Sequence, residues 1–408
     1  MRRILCTLGA GCMLVLLFGA RPALSDTPAS PENATWALVS DGPHLLNASI
    51  HETVWRTPRP PGGIHDHIEV HRYRAQTASD AASETAPKAA LLYLPGTNMN
   101  GEAVLGDENH NLWFYLAQRG IDVYALDYRT HFVANAGVED LGFMKSWGLT
   151  AFVGDAAEAA ALARRESGHE SLFLAGFSRG VTLAYGLAAS EPAGSIAGMI
   201  ALDGAFKSHA PKGEYDLPAA TQKLVGSGVF AADVAGSRGW DWRQKLMADT
   251  AADPNGPAQN APFETIGEEL AEILFGAWGP GALANPKDGV SRPAILAQLL
   301  EGYDRYYPTI QNIEGRSMAD YADDPSTPID DGWAELELPV LYFGSTGMQH
   351  FLGSRWLLDG IHSAAEAGGT DFTINVLEGY GHLDVLVGES ARADVFEPTL
   401  EWIERRLP

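Results

Sequence analysis

Residues 171–184 read SLFLAGFSRGVTLA: an apolar run, then G-x-S-x-G centred on Ser178, then a second apolar run. The first run is typical of a buried strand and the second of a helix. Glycine at 176 and 180 removes the Cβ atoms that would collide where a strand turns sharply into a helix. Such a turn places the Ser178 hydroxyl at the end of the strand, beside a helix N-terminus that favours negative charge. The alternative is that Ser178 only caps this helix, a role in which serine is common.

Buried strands and helices alternate on both sides of this stretch. The pattern predicts strands over residues 89–94, 121–126 and 196–202, and helices over 111–118 and 151–165. Regular alternation of this kind is typical of a parallel sheet whose two faces are covered by helices. We therefore predict an α/β fold with a mostly parallel sheet and helices on both faces.

The chain before the first buried strand shows a different pattern. Residues 26–40 are polar and contain proline, so we expect a flexible lead-in there. Residues 53–56 and 68–73 have strand-like composition and are separated by a loop rich in proline and glycine. They are the first strands that the sequence predicts.

The alternation of strand and helix is interrupted once. The interval is too long for a loop and carries helical patterns, so we interpret residues 205–335 as an inserted, mainly helical cap. The α/β core then comprises residues 26–204 and 336–408. Its last part carries a predicted helix over 355–367 and a predicted strand over 372–377.

The first 25 residues have the pattern of a secretory signal peptide. Arg2 and Arg3 precede an apolar run too short and too rich in glycine for a stable membrane span, and small residues close it. We therefore expect residues 1–25 to be removed and the protein to be secreted or periplasmic. Both cysteines, Cys6 and Cys12, fall inside this segment, so the mature chain would have no thiol.

The charge of the chain excludes one class of partner. The formal net charge is −24 at pH 7, with 52 acidic against 28 basic residues. Nucleic acid is therefore not expected as a partner. Such acidity is typical of an exported protein that must stay soluble.

A second motif, G-Y-G-H at 379–382, follows the last predicted strand. Together with the G-x-S-x-G turn, it makes residues 53–408 resemble the α/β-hydrolase superfamily. The resemblance implies that Ser178 is a nucleophile and that His382 is the base that takes its proton. It also implies the superfamily's chain order of serine, acid and histidine.

The acid departs from the commonest pattern of that superfamily. In many relatives an Asp follows the strand predicted at 340–343, but this chain has Gly-Ser-Thr-Gly there. Asp203, at the end of the strand after the Ser178 helix, is the candidate, and we expect its carboxylate within about 3.2 Å of a His382 ring nitrogen. Glu378 is the second candidate because it lies near His382 in sequence, and Asp384 is the third.

An oxyanion hole is also implied by the resemblance. One backbone N–H would come from Arg179, directly after the nucleophile, and one from Thr97, in the loop after the strand at 89–94. Gly96 would let that loop approach a substrate closely. Asn98 is a further candidate that the sequence leaves open.

The sequence predicts neither a cofactor nor a metal site. His65, His67 and His71 form a local cluster, but their alternation with Ile68 and Val70 suits an ordinary strand. Metal sites usually draw ligands from a second cluster as well, and none matches this one.

The resemblance implies a serine hydrolase that cleaves a carboxylic ester through an acyl-enzyme on Ser178, with a small-molecule ester as substrate. A serine peptidase or amidase of the same fold is an alternative, since the sequence shows no motif that selects between ester and amide. A second alternative is a non-catalytic binding protein on a hydrolase scaffold, because fold does not determine function.

Overall fold

Strand β6 (Leu172–Phe177), which leads into Ser178, lies inside a nine-stranded sheet in the computed structural model of the chain. The other strands of this sheet are β1 (Ala37–His44), β2 (Asn47–Pro58), β3 (His67–Ala75), β4 (Ala89–Leu94), β5 (Ile121–Asp127), β7 (Ile196–Leu202), β10 (Val340–Ser345) and β11 (Phe372–Leu377). Two short strands, β8 (Ala231–Asp233) and β9 (Tyr306–Pro308), form a separate sheet. The structure describes residues 35–76, 86–135, 140–212, 215–276, 279, 281–320, 328–348 and 355–407.

The large sheet is mostly parallel. Its strand order is β1-β2-β3-β5-β4-β6-β7-β10-β11. The six strands from β5 to β11 in this order pair in parallel, whereas β1, β2 and β3 pair antiparallel with their neighbours. The strands predicted at 89–94, 121–126 and 196–202 match β4, β5 and β7.

Helices cover both faces of this sheet. The helices of the described residues are α1 (Leu112–Ala117), α2 (Leu149–Ser167), α3 (Arg179–Ser190), α4 (Leu217–Ser227), α5 (Trp240–Ala252), α6 (Ile266–Gly276), α7 (Pro293–Glu301), α8 (Ile310–Asp320), α9 (Arg355–Gly368), α10 (Asp384–Val387) and α11 (Glu397–Glu404). Successive residues of β4 enter two different cores, Leu91 and Tyr93 with α1, and Leu92 and Leu94 with α2 and α3. The predicted α/β fold with helices on both faces is therefore confirmed.

The antiparallel edge of the sheet differs from the prediction. Residues 37–40, assigned to a flexible lead-in at 26–40, begin strand β1, and β2 and β3 extend beyond the predicted 53–56 and 68–73. Most β1 side chains are exposed, so the strand is ordered by backbone hydrogen bonds to β2 rather than by burial. An apolar pattern could not have indicated it, because no apolar face is buried there.

Helices α4 to α8 and the strands β8 and β9 lie between β7 and β10 along the chain. This part of the chain is mainly helical, as expected. The predicted limits of a cap at 205–335 stay a prediction. The predicted signal peptide at 1–25 lies outside the described residues, and within the described ranges no helix is both long and apolar enough to cross a bilayer.

The turn from β6 into α3 is closely packed. A Cβ atom at Gly180 would lie 1.9 Å from the Leu94 carbonyl oxygen and 2.6 Å from that of Pro95. One at Gly176 would lie 2.5 Å from the Gly180 carbonyl oxygen. These contacts are with backbone, which cannot rotate away. Glycine at both positions is therefore required for the first turn of α3 to pack against the end of β4.

We predict that Gly180→Ala lowers the free energy of unfolding by about 3 kcal/mol or more, since the new methyl group forces β4 and α3 apart. Gly154→Ala is the matched control. Gly154 lies in α2, where a Cβ has nothing within 4 Å, so alanine should be neutral or slightly stabilising. Denaturant unfolding of both variants measures the difference, and equal stabilities would contradict the close approach.

Candidate active site

The neighbouring parallel strands β6, β7 and β10 have residues in register at their carboxyl ends. Leu202 of β7 pairs with Phe177 of β6 on one side and with Phe343 of β10 on the other. Ser178 and Asp203 are the residues that follow Phe177 and Leu202 in the chain. The in-register ends therefore bring these two polar residues to adjacent positions at the carboxyl edge of the sheet, where ligands bind in parallel α/β folds.

Backbone strain is concentrated at this edge. Of the residues that the structure describes, three non-glycine residues have positive φ: Asn98 at 61°, Ser178 at 55° and Asp203 at 46°. They follow β4, β6 and β7, which are adjacent in the sheet. Non-glycine residues in such conformations cost of order 1–3 kcal/mol each and occur most often at functional sites. The strain therefore marks this edge as a candidate site independently of any motif.

Asp203 and His382 are in contact. The His382 Nδ1 and Asp203 Oδ2 atoms are 2.7 Å apart, and the Asp203 side chain is fully buried. The Phe177 ring stacks on the imidazole with 4.6 Å between ring centroids, which fixes the plane of the ring. The contact expected between Asp203 and His382 is thus present, and Ser178 lies one strand away.

The two other candidate acids have different positions. Glu378 is exposed, and the structure gives it no hydrogen bond to His382. Asp384 is fully buried, but it binds the backbone of the His382 turn, as described below. Neither carboxylate occupies the place on the imidazole that Asp203 holds. The catalytic roles of Ser178, His382 and Asp203 stay predictions.

Ser345 is a site residue that the sequence analysis did not identify. Its hydroxyl donates to Asp203 Oδ2 at 2.6 Å, and its backbone N–H donates to Asp203 Oδ1 at 2.9 Å. Ser345 ends β10, the strand after which many α/β-hydrolases carry the acid. Here that position supplies donors to a carboxylate on the neighbouring strand. A hydroxyl residue at a position expected to hold a carboxylate was the available signal.

Asp384 holds the turn that carries His382. Its Oδ2 accepts hydrogen bonds from the backbone N–H groups of Gly381 at 2.6 Å and Asn285 at 2.9 Å. The Ser291 hydroxyl donates to Oδ1 at 2.5 Å. Burial raises the pKa of Asp384 to about 6, although these donors favour the charged form. Asp384 therefore joins the turn that carries His382 to the segment between β7 and β10.

Thr97 and Asn98, two of the candidates for the oxyanion hole, lie in the loop after β4. Thr97 lines the same cavity as Ser178 and Arg179. Asn98 is occupied elsewhere, since its side-chain amide donates to the Asp304 carbonyl at 2.9 Å and its own carbonyl accepts from the Asp304 N–H at 2.7 Å. The structure thus brings Thr97, Ser178 and Arg179 together, and uses Asn98 to tie their loop to the segment between β7 and β10.

A cavity of about 460 Å³ opens at Ser178. Helix α8 forms one wall through residues such as Asn312 and Gly315, and α9 contributes Trp356. This volume is in the range of small-molecule sites. The segment that the sequence predicted as a cap therefore helps to enclose the space beside Ser178.

His65, His67 and His71, of which the last two lie on β3, do not form a common site among the described residues. His65 Nδ1 contacts the Phe132 carbonyl at 2.8 Å, and the His67 ring packs on the Phe132 ring. His71 is buried, with Nδ1 2.8 Å from Glu52 and Nε2 2.9 Å from Asp127.

Glu69, His71 and Asp127 bring three potential metal ligands close together. Burial by itself lowers the pKa of His71, but the Asp127 and Glu52 carboxylates raise that pKa to about 10. In this arrangement both ring nitrogens of His71 already contact a carboxylate, Glu52 at Nδ1 and Asp127 at Nε2. The contacts therefore favour a buried ion network that joins β2, β3 and β5.

A family model described as serine aminopeptidase, S33, matches residues 85–254. No curated protein matches the chain.

Solved structures resemble the chain along most of its length. A candidate lipase from Sulfolobus solfataricus superposes with a TM-score of 0.70 at 24% identity, covering 91% of this chain and 99% of that one. A peroxisomal alpha-beta-hydrolase from Saccharomyces cerevisiae gives a TM-score of 0.47 at 14% identity, with coverages of 92% and 89%. A carboxyl esterase from Bacillus coagulans gives 0.44 at 14%, with coverages of 92% and 99%. The first of these similarities identifies the fold.

We predict that the His71→Gln variant loses stability in a pH-dependent manner. A pKa raised from about 6.5 in the unfolded chain to about 10 in the folded one stabilises the fold fully below pH 6.5 and progressively less up to pH 10. The deficit in unfolding free energy of His71→Gln should therefore be largest near pH 6 and shrink towards pH 10.

Chemical denaturation at several pH values measures this dependence. His51→Gln is the control, since His51 is more exposed, with 28% of its side chain accessible, and pairs with Asp41 at the sheet edge. A deficit for His71→Gln that stays constant from pH 6 to 10 would contradict the charged state of His71.

Proposed function

We propose that this chain, which has the α/β-hydrolase fold, is a serine hydrolase that cleaves a carboxylic ester through an acyl-enzyme on Ser178. The observation that carries the proposal is the 2.7 Å contact between His382 Nδ1 and Asp203 Oδ2, one strand from a serine with strained backbone. A serine, an imidazole and a carboxylate are the three groups that this kind of nucleophilic acyl transfer requires.

Each of the three side chains has a distinct role in the proposed reaction. Asp203 accepts a hydrogen bond from Nδ1–H and so leaves the lone pair of the neutral imidazole on Nε2. Nε2 takes the proton of Ser178 as its oxygen attacks the ester carbonyl, and then gives that proton to the departing alcohol. Water, deprotonated by the same nitrogen, attacks the acyl carbon, and the proton passes from Nε2 to the departing Ser178 oxygen as the acid is released. The Asp203 carboxylate stabilises the imidazolium that forms in both halves of the reaction.

The negative charge that develops on the substrate oxygen needs donors in place. The backbone N–H of Arg179, at the first turn of α3, and that of Thr97 are the proposed oxyanion hole. The helix N-terminus adds a favourable dipole. Loss of a single donor of this kind typically costs about 3 kcal/mol of transition-state stabilisation.

The charge of the cavity favours an ester over the amino terminus of a peptide. An aminopeptidase needs an unneutralised carboxylate near the serine to bind the substrate ammonium. Of the described cavity residues, only Asp320 and Asp359 are acidic, and both contact the Arg355 guanidinium. The proposal therefore keeps peptidase activity as the alternative, and a binding protein without catalysis as the second one.

The proposal includes export. Its support is the signal-peptide pattern of residues 1–25. An extracellular or periplasmic enzyme of this kind would act on esters outside the cytoplasm.

We predict that Asp203→Asn lowers kcat for 4-nitrophenyl acetate by about 10⁴, because the amide cannot hold the imidazole in the reactive tautomer or stabilise the imidazolium. Glu378→Gln is the matched control and should change kcat less than twofold. Ser178→Ala should abolish both turnover and labelling by a fluorophosphonate probe.

These experiments distinguish the candidate acids from each other and the hydrolase from a non-catalytic binding protein. Loss of activity in Glu378→Gln alone would reassign the acid. Folded wild-type protein that neither hydrolyses 4-nitrophenyl esters nor is labelled at Ser178 would favour the binding protein.

A second prediction concerns Ser345. Its hydroxyl is one of the donors that hold the Asp203 carboxylate, so Ser345→Ala should lower kcat roughly tenfold and leave KM unchanged. Thr399→Ala removes another fully buried hydroxyl, from α11, and serves as the control for general destabilisation. Equal effects of the two variants on kcat, measured below their unfolding transitions, would contradict a positioning role for Ser345.

A further inference from the structure

The cavity at Ser178 is cationic although the chain carries a formal net charge of −24. Two of its lining residues are acidic, Asp320 and Asp359. Five are basic: Arg179, Lys207, Lys212, Arg316 and Arg355. A local excess of positive charge in so acidic a protein attracts anionic ligands to this cavity.

Several of these charges are already neutralised. Arg355 contacts both Asp320 and Asp359, and the buried Lys207 ammonium forms an ion pair with Asp330. Arg316 is largely exposed and lies 3.9 Å from Asp320. These pairs account for both acids of the cavity. Of the two remaining cations, Lys212 is exposed, and Arg179 is the one that directly follows Ser178.

Arg179 is the residue directly after Ser178, and its side chain is held in a fixed place. Its Nη2 donates to the Asn312 side-chain oxygen at 3.1 Å. Its Nη1 lies over Gly315 of α8, where a Cβ atom would be only 2.2 Å away. Glycine inside a helix costs about 1 kcal/mol relative to alanine. Here that glycine provides the space that the guanidinium occupies.

Within the described residues, the Arg179 guanidinium has no carboxylate in salt-bridge contact. Glu314, the neighbouring acid on α8, accepts the Leu149 backbone N–H at 2.6 Å. It lies beyond salt-bridge distance of Arg179, although the Arg179 charge acts to lower the pKa of Glu314, which burial raises. A half-buried guanidinium without a carboxylate in direct contact retains donors for a ligand. Its planar fork matches a carboxylate, with which it forms two parallel hydrogen bonds.

We propose that Arg179 binds a carboxylate of the substrate, so that the preferred substrates are esters carrying a free carboxylate close to the scissile bond. This inference rests on the proposed ester hydrolysis. One unpaired guanidinium balances the single charge of a carboxylate, and its position beside the nucleophile requires that the carboxylate and the ester belong to one small molecule. The Arg179 backbone N–H and side chain thus have separate roles.

The test compares matched substrates. On the acyl side, mono-4-nitrophenyl glutarate is compared with 4-nitrophenyl pentanoate, which ends in a methyl group. On the alcohol side, 3-carboxyphenyl acetate is compared with 3-carbamoylphenyl acetate. The quantity measured is the ratio of kcat/KM for the anionic and neutral members. Because both members use the same oxyanion hole, any effect on that hole cancels in the ratio.

Arg179→Met should lower this ratio tenfold or more in at least one pair, since a hydrogen-bonded charge contributes roughly 1.5–3 kcal/mol and 1.4 kcal/mol is tenfold. The pair that responds tells whether the carboxylate lies on the acyl or the alcohol side. Arg316→Met, the matched control on the exposed rim, should change the ratio less than threefold. Glutarate should competitively inhibit wild-type hydrolysis of the neutral ester and inhibit Arg179→Met at least tenfold less.

Two failures can be told apart. If wild-type protein hydrolyses the neutral esters but Arg179→Met leaves both ratios unchanged, the role of Arg179 is wrong and the proposed function stands. If folded wild-type protein hydrolyses none of the four esters, the proposed function itself fails.

Discussion

The arrangement at the sheet edge depends on one buried carboxylate. Burying the charge of Asp203 without partners would be prohibitive, so its oxygens must be hydrogen-bonded in the folded chain. They accept from the Ser345 hydroxyl and N–H and contact His382. This requirement fixes the end of β10 against the end of β7 and draws the turn after β11 over both. Three strands are thus held in one relative position by the need to satisfy a single side chain.

The segment between β7 and β10 does more than enclose the cavity. The His382 and Leu383 N–H groups donate to the carbonyls of Ala282 and Leu283, at 3.1 and 2.7 Å. Asn98 exchanges hydrogen bonds with Asp304, so the loop after β4 is held in the same way. Both loops beside Ser178 therefore depend on this segment for their conformation. Changes in it are expected to affect the catalytic geometry as well as the choice of substrate.

The protein as a whole has a negative net charge, whereas the cavity beside Ser178 has an excess of positive charge. The excess of carboxylates keeps the protein soluble and disfavours polyanions as partners. Around Ser178, by contrast, the acids are paired and a guanidinium is held without a counter-ion in the described residues. Such a distribution favours small anionic molecules as ligands of this cavity. The substrate class we infer follows from this contrast.

The sequence by itself determined the fold class, the strand-turn-helix at Ser178 and the position of His382. Those features are local: apolar periodicity, two glycines at a turn and a short motif after a strand are all visible within a few residues. The choice of Asp203 was also available, because strand ends in a parallel sheet meet at one edge. Asn312 and Gly315, and the contact that Ser345 makes with Asp203, became recognisable only in the tertiary structure. Their roles come from contacts across more than 100 residues of chain, which no local pattern records, and strand β1 was missed because backbone pairing alone orders it.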